Sequence, residues 1–258
     1  MSEDKKQSTI GVLRESKRGV EKWLKAEERA VKYEYGIKGE VWSMYGGLVE
    51  HYDRGFQDLR VGLGIPSFRD YLLERKKSGR TTNVLDLMGG DASFLRDLKN
   101  PRSKDSPPSS VDAGLCVTLV DGREKYLKEM DKRLGIDVLS GDLTSNGTWR
   151  KIDEWQRNRG VETFDLIICR GGDGLDTVPE ILYPHLFKRI WKRLSRNDGV
   201  FLTQLPIAVA ERIDQLAQPL KSLPGTKSYI QPRIVYDPNN FYPSVGVIKA
   251  LDAPEKLI

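Results

Sequence analysis

The stretch Asn83-Val84-Leu85-Asp86-Leu87-Met88-Gly89-Gly90-Asp91-Ala92-Ser93-Phe94-Leu95 constrains this chain more than any other. Its apolar run, single acid, glycine pair and helix-opening Asp/Ser read as a buried strand turning sharply into a helix. At the carboxyl end of such a strand a ligand reaches the backbone only where side chains are absent, and the following helix offers free N–H groups. Gly89 and Gly90 meet the first condition and Ala92-Ser93 the second. A chain with this turn is expected to be an α/β protein with a ligand crevice at a strand end. The fingerprint G-x-G-x-x-G is missing here, which counts against a nicotinamide-dependent oxidoreductase.

The pattern then repeats. Leu115–Val120 is a second apolar run, closed by Asp121-Gly122-Arg123, with Asp121 standing 35 residues after Asp86. In dinucleotide folds the second acid follows at a spacing of about 20 residues. The surface loop expected over 100–110, rich in Pro, Ser and charge, accounts for most of the difference. Leu127, Met130 and Leu134 mark a helix leading to Ile136–Leu139 and Ser140-Gly141-Asp142-Leu143. A helix around Trp149–Arg157 leads into Phe164–Cys169, the clearest strand, closed by Arg170-Gly171-Gly172-Asp173-Gly174.

Residues 179–194 predict an amphipathic helix with Phe187, Ile190, Trp191 and Leu194 on one face. Lys188, Arg189, Lys192, Arg193 and Arg196 fall on the other, read as a solvated outer surface. Val200–Thr203 is a fifth strand, Ile213, Leu216, Ala217 and Leu220 mark a further helix, and 227–236 with 242–250 predict a closing antiparallel hairpin. This order implies a mainly parallel sheet covered on both faces.

Over about residues 80–250 these strand ends resemble class I S-adenosylmethionine-dependent methyltransferases. The family's first motif reads acid, any, Gly, any, Gly, any, Gly. Asp86 is the acid, and Met88, Gly90 and Ala92 occupy the three glycine places. The resemblance implies a Rossmann-like, doubly wound, mainly parallel seven-stranded sheet with a C-terminal antiparallel hairpin, and S-adenosyl-L-methionine as cofactor. It places Asp86, Met88, Gly89 and Gly90 along the cofactor. Asp121, followed by Gly122, would accept the ribose hydroxyls, Asp142 would hold the adenine amino group, and Leu143 would pack on the ring. The fourth strand would end beside the transferred methyl group, with Arg170 and Asp173 the nearest polar side chains. The Asn/Asp-Pro-Pro-Tyr box of enzymes that methylate adenine amino groups in nucleic acid is absent. Met88 departs from the family's glycine and grounds a second reading, a binding or scaffold module that has lost the cofactor.

Residues 1–78 are expected to form a helical extension ahead of a domain over 79–258. From Val41 to Phe68 the aromatics Trp42, Tyr45, Tyr52, Phe56 and Phe68 mix with His51 and several glycines. Such a segment is either a cap packed on the core or a lid over the site. Tyr52-Asp53 is similar to a Tyr-Asp pair in the N-terminal helices of many small-molecule methyltransferases. On that basis Tyr45 and Tyr52 are candidate substrate contacts, and His51 joins Asp173 as a candidate base. The chain of 258 residues carries a net charge of +5, with a pI near 9.0. That balance permits RNA as a partner without requiring it, and a small molecule is the first expectation for the substrate.

Other classes fit less well. Two histidines and two cysteines leave few zinc ligands, and G-x-S-x-G is absent. Cys116 and Cys169 lie in apolar runs, as buried reduced thiols would. No secretory leader or apolar run of about 20 residues is seen, so no membrane role and a cytoplasmic location are expected. Oligomeric state is left open.

Overall fold

The computed structural model describes residues 48–90, 92–100, 111–118, 135–170, 180–205, 207–221, 223–231 and 243–255. Tyr45, Asp91, the loop expected over 101–110, Asp121 and Gly122, the helix expected over 127–134, Asp173 and the hairpin turn expected around 237–240 lie outside the described residues. In chain order the elements are α1 (Val49–Gly55), α2 (Gln57–Leu63), α3 (Phe68–Lys77), β1 (Asn83–Leu87), α4 (Ser93–Lys99), β2 (Ala113–Thr118) and β3 (Ile136–Ser140). Then follow α5 (Asn146–Arg159), β4 (Leu166–Arg170), α6 (Tyr183–Arg193), β5 (Gly199–Gln204), α7 (Ile213–Lys221), β6 (Thr226–Gln231) and β7 (Ser244–Lys249).

The seven strands form one sheet in the order β3-β2-β1-β4-β5-β7-β6. β1 to β5 are parallel, and β7 runs antiparallel to both β5 and β6. This is the Rossmann-like, doubly wound sheet with an antiparallel C-terminal pair that the sequence led one to expect. The last strand enters between β5 and β6 instead of adding at the edge. Because side chains alternate along a strand, each strand divides its residues between two cores. Leu85, Leu87, Ile167, Cys169 and Phe201 face α5, α6 and α7 in one apolar cluster. Val84, Cys116, Ile168, Val200 and Leu202 face α1 to α4 in the other. No helix among the described residues is long and apolar enough to cross a membrane.

The described helices of the N-terminal segment are built into the second core. Phe56, Phe68 and Phe94 are all 0% exposed, with Phe68 edge-on to both Phe56 and Phe94. α3 begins at Ser67, whose hydroxyl accepts the backbone N–H of Asp70, a side-chain cap for a free helix donor. α1 is capped from outside, since the N–H of Val49 donates to the buried carboxylate of Asp97 on α4.

Three basic residues are buried. Arg75 is 5% exposed and bridges to Asp165. Arg193, assigned to the solvated stripe, is 5% exposed and donates to Asp153. Lys249 lies 2% exposed inside β7, its ammonium donating to the carbonyls of Trp191 and Leu194. Each is buried with a partner or with the bare carbonyls of a helix end, which is what makes its burial tolerable.

Candidate functional site

In the sheet order, β1 pairs with β2 on one side and with β4 on the other. The chain's path therefore reverses between β1 and β4, and the crevice outside their carboxyl ends is where open α/β sheets hold ligands. Two stretches meet there: the turn 88–90 after β1, and Arg170 ending β4.

The turn explains the motif's spacing. Met88, Gly90 and Ala92 have φ of 64°, 58° and 61°, so every alternate residue is left-handed. These are the three glycine places of the motif. A left-handed backbone costs an L-residue on the order of 1–2 kcal/mol and costs glycine almost nothing. Met88 and Ala92 thus hold a shape for which glycine is the easiest residue. Met88 packs its side chain against the α5–α7 core. Gly89, which is not one of the three places, is fixed for a different reason: a Cβ built on it would fall 2.1 Å from Oδ2 of Asp86. Asp86 is 0% exposed, and its carboxylate is folded beneath the turn that it helps to shape.

At the end of β3 the loop 141–144 is held tightly. The N–H and hydroxyl of Thr144 both donate to Asp142, at 2.7 Å. The carbonyl of Leu143 accepts Nε1 of Trp149 at 2.7 Å and a guanidinium N–H of Arg189 at 3.3 Å. Leu143 itself is 3% exposed and belongs to the α5–α7 core, leaving little of its side chain for a ligand. Asp142 is half-buried, and a carboxylate with about four lone-pair sites has acceptor capacity beyond Thr144.

Across the switch point, α1 brings His51 and Tyr52 to the end of β4. The guanidinium of Arg170, on an exposed residue, lies 5.3 Å from the centroid of the Tyr52 ring. That ring is stacked on Phe94 at 4.2 Å and is 4% exposed. Tyr52 is therefore a buried platform for Arg170, with little surface of its own to offer. Gln204, ending β5, donates to the carbonyl of Gly55 at 3.2 Å and holds α1 against the strand ends. Burial lowers the His51 pKa, and the charges of Arg54 and Arg170 lower it further. Nδ1 of His51 is buried and has no hydrogen-bond partner among the described residues. Asp53, the other half of the Tyr-Asp pair, accepts the N–H of Phe68 and pairs with Arg60, so it braces α3.

Asp86, Met88, Gly89 and Gly90 thus stand together at one lip of the crevice, and Arg170, His51 and Tyr52 at the other. Asp142 and Leu143 end the outer strand β3. Trp149 and Arg189, which hold the Leu143 carbonyl, were missed: nothing local in the sequence ties a helix side chain to a loop carbonyl 46 residues away. No group of three His, Cys, Asp or Glu among the described residues is arranged to hold a metal.

No protein-family model matches the chain, and no curated protein matches it. Solved structures do resemble its fold. One is a Streptococcus mutans protein provisionally assigned as a SAM-dependent methyltransferase, at 14% identity over 70% of this chain and 47% of that one, with a TM-score of 0.45. A second Streptococcus mutans protein, provisionally assigned as a methyltransferase and crystallised with SAH, matches at 13% identity over 66% of this chain and 89% of that one, TM-score 0.44. The ribosomal protein L11 methylase of Lactobacillus delbrueckii matches at 13% identity over 70% and 77%, TM-score 0.40. The chain spans less than half the length of the first of these. Likeness at this level concerns the fold, and function has to be argued from the site.

Proposed function

We propose that this chain is an S-adenosylmethionine-dependent methyltransferase. One observation carries the reading: at the β1–β4 switch point, the three glycine places of the family motif are the three left-handed residues of the turn. The turn offers a backbone cradle at Gly89 and Gly90, and Met88 is anchored in the core. That weighs against the alternative reading of a binding or scaffold module, whose ground was Met88. Gly89, Gly90 and the backbone at Met88 would hold the amino-acid end of the cofactor, with Asp86 fixing the turn from beneath. Asp121 and Gly122 are assigned to the ribose and Asp142 to the adenine amino group, with Leu143 as floor.

When bound, the cofactor supplies a methyl group on a sulfonium, a carbon that already carries an excellent leaving group. The protein's work is then chiefly alignment and exclusion of water, and proximity can supply on the order of 7–11 kcal/mol in favourable cases. Arg170, stacked on Tyr52, orients the acceptor at the end of β4, with Asp173 and Tyr45 assigned to the same pocket. His51 is held neutral near pH 7 by burial and by its two arginine neighbours. It is suited to take a proton from an acceptor that arrives as an alcohol or an ammonium.

A small-molecule acceptor is the first reading, because α1 packs against the end of β4 beside the crevice. A second reading, RNA, is favoured by the cationic cleft between α5 and α6. Calorimetric titration with S-adenosylhomocysteine tests the cofactor assignment. Binding that weakens in Asp121→Ala without loss of fold is expected, and the absence of binding hands the chain to the scaffold reading.

A further inference from the structure

Away from the crevice, α5 and α6 enclose an open cleft of about 590 Å³ whose walls carry Arg150, Lys188, Arg189, Lys192 and Arg193, with Asn146 among the lining residues. Asp153 is the only acid among the described residues lining it, and it is engaged by Arg193 at 2.5 Å. Three features separate this cleft from an ordinary solvated helix face. Lys188 with Lys192, and Arg189 with Arg193, are like-charged pairs four residues apart, each an unfavourable spacing on a helix by about 0.2–0.5 kcal/mol. Arg189 and Arg193 do not splay into water; both lie over the Trp149 indole, at 5.8 and 4.8 Å from its centroid. Burial, and then the neighbouring Arg193 charge, push the Arg189 pKa down, while the Asp142 charge acts the other way. A fixed row of cations, set in a trough and repelling one another, suits a chain of anions.

We propose that the α5–α6 cleft is a docking groove for the phosphodiester backbone of single-stranded RNA. Four residues along α6 advance about 6 Å, so Lys188 and Lys192 reach successive phosphates of an extended strand. A lipid surface fits less well, because an interfacial site needs exposed apolar anchors and Trp149 is 3% exposed. An acidic protein partner would lack the apolar interface centre that protein–protein docking generally uses. RNA is preferred over DNA because the cleft also holds a neutral amide, Asn146, whose oxygen accepts from Arg189 and whose nitrogen can donate to a 2′-hydroxyl oxygen. The groove shares Trp149 and Arg189 with the support of the 141–144 loop, but its occupancy by RNA needs no cofactor.

Fluorescence anisotropy of the full chain, without cofactor, with a labelled 20-nucleotide RNA, DNA of the same sequence and polyglutamate tests it. The expected result is RNA binding with a log K–log salt slope of about −3, as for roughly four neutralised phosphates. Lys188→Glu with Lys192→Glu, both exposed side chains, should weaken RNA binding at least tenfold and flatten the slope by about 1. Arg150→Glu should act in the same direction, and unchanged melting temperatures show that the variants fold. Unaltered RNA affinity in the double variant, or DNA or polyglutamate bound as tightly as RNA, overturns the proposal.

Discussion

Nη2 of Arg75 lies 2.5 Å from Oδ1 of Asp165 where the two side chains are only 5% and 1% exposed. The pair ties α3 to the sheet at the end opposite the crevice. Oδ2 of Asp165 accepts the N–H of Asn83 at the start of β1, and Nη1 of Arg75 donates to the carbonyl of Asn197 ahead of β5. The Tyr71 hydroxyl, whose pKa burial pushes up, lies within hydrogen-bonding distance of the Asp165 and Asp198 carbonyls. Removing Arg75 strands a buried carboxylate. Arg75→Met is expected to lower unfolding free energy by about 3–5 kcal/mol. The pairing with Asp165→Asn should recover part of that loss in a double-mutant cycle followed by urea denaturation.

The turn after β1 makes a contrast between neighbours. Gly90→Ala has to adopt a left-handed backbone and should cost about 1 kcal/mol. Gly89→Ala must instead displace the Asp86 carboxylate and should cost clearly more. In an Asp86→Ala background the gap between the two alanine variants should shrink. An undiminished gap in chemical denaturation would show that Gly89 is constrained by something else.

His51 should titrate below 6.5, and Arg170→Ala should move it upward by removing one of the two nearby positive charges. Nuclear magnetic resonance titration of the imidazole reads this directly. The unfolded chain binds more protons than the folded one between the lowered pKa and 6.5, so His51 makes stability fall as pH drops through that window. If His51 is the base, turnover should fall over the same window, and Arg170→Ala should carry the acid limb to higher pH.

Lys249 gives the opposite end of the pH scale. Burial lowers its pKa from 10.5 to about 8, with the Arg196 charge adding to the effect. Below about pH 8 it is charged in both states and the folded chain bears the desolvation cost. Between about 8 and 10.5 the unfolded chain binds the extra proton, so stability attributable to this residue rises with pH. Relative to Lys249→Met, the wild-type chain should gain stability across that interval. Parallel pH curves for the two proteins would contradict it.

Strand positions and the parallel order were legible because apolar runs and the alternation of strand with helix are local signals. Asp86 within β1 and Asp142 just after β3 were placed for the same reason. Less so were the roles of single polar residues. Arg75 looked like one member of Arg75-Lys76-Lys77 because its partner stands 90 residues on. Arg193 groups with Lys192 in the sequence, although the roughly 100° between consecutive helical residues puts one in the core and the other in water. Tyr52 and Phe56 carry the same aromatic signal whether they line a pocket or fill a core. Packing on Phe94 and Phe68, set by a chain crossing no periodicity records, decides it.

The insertion of β7 between β5 and β6 also dictates an order of events during synthesis. β6 leaves the ribosome first but meets no strand of the sheet until residues 244–249 follow, because β5 and β6 share no pairing of their own. Until then β5 presents an open hydrogen-bonding edge, and exposed edges of this kind recruit other chains. An intermediate in which β7 is unpaired thus leaves the β5 edge open, and β7 covers the facing edges of β5 and β6 in one step.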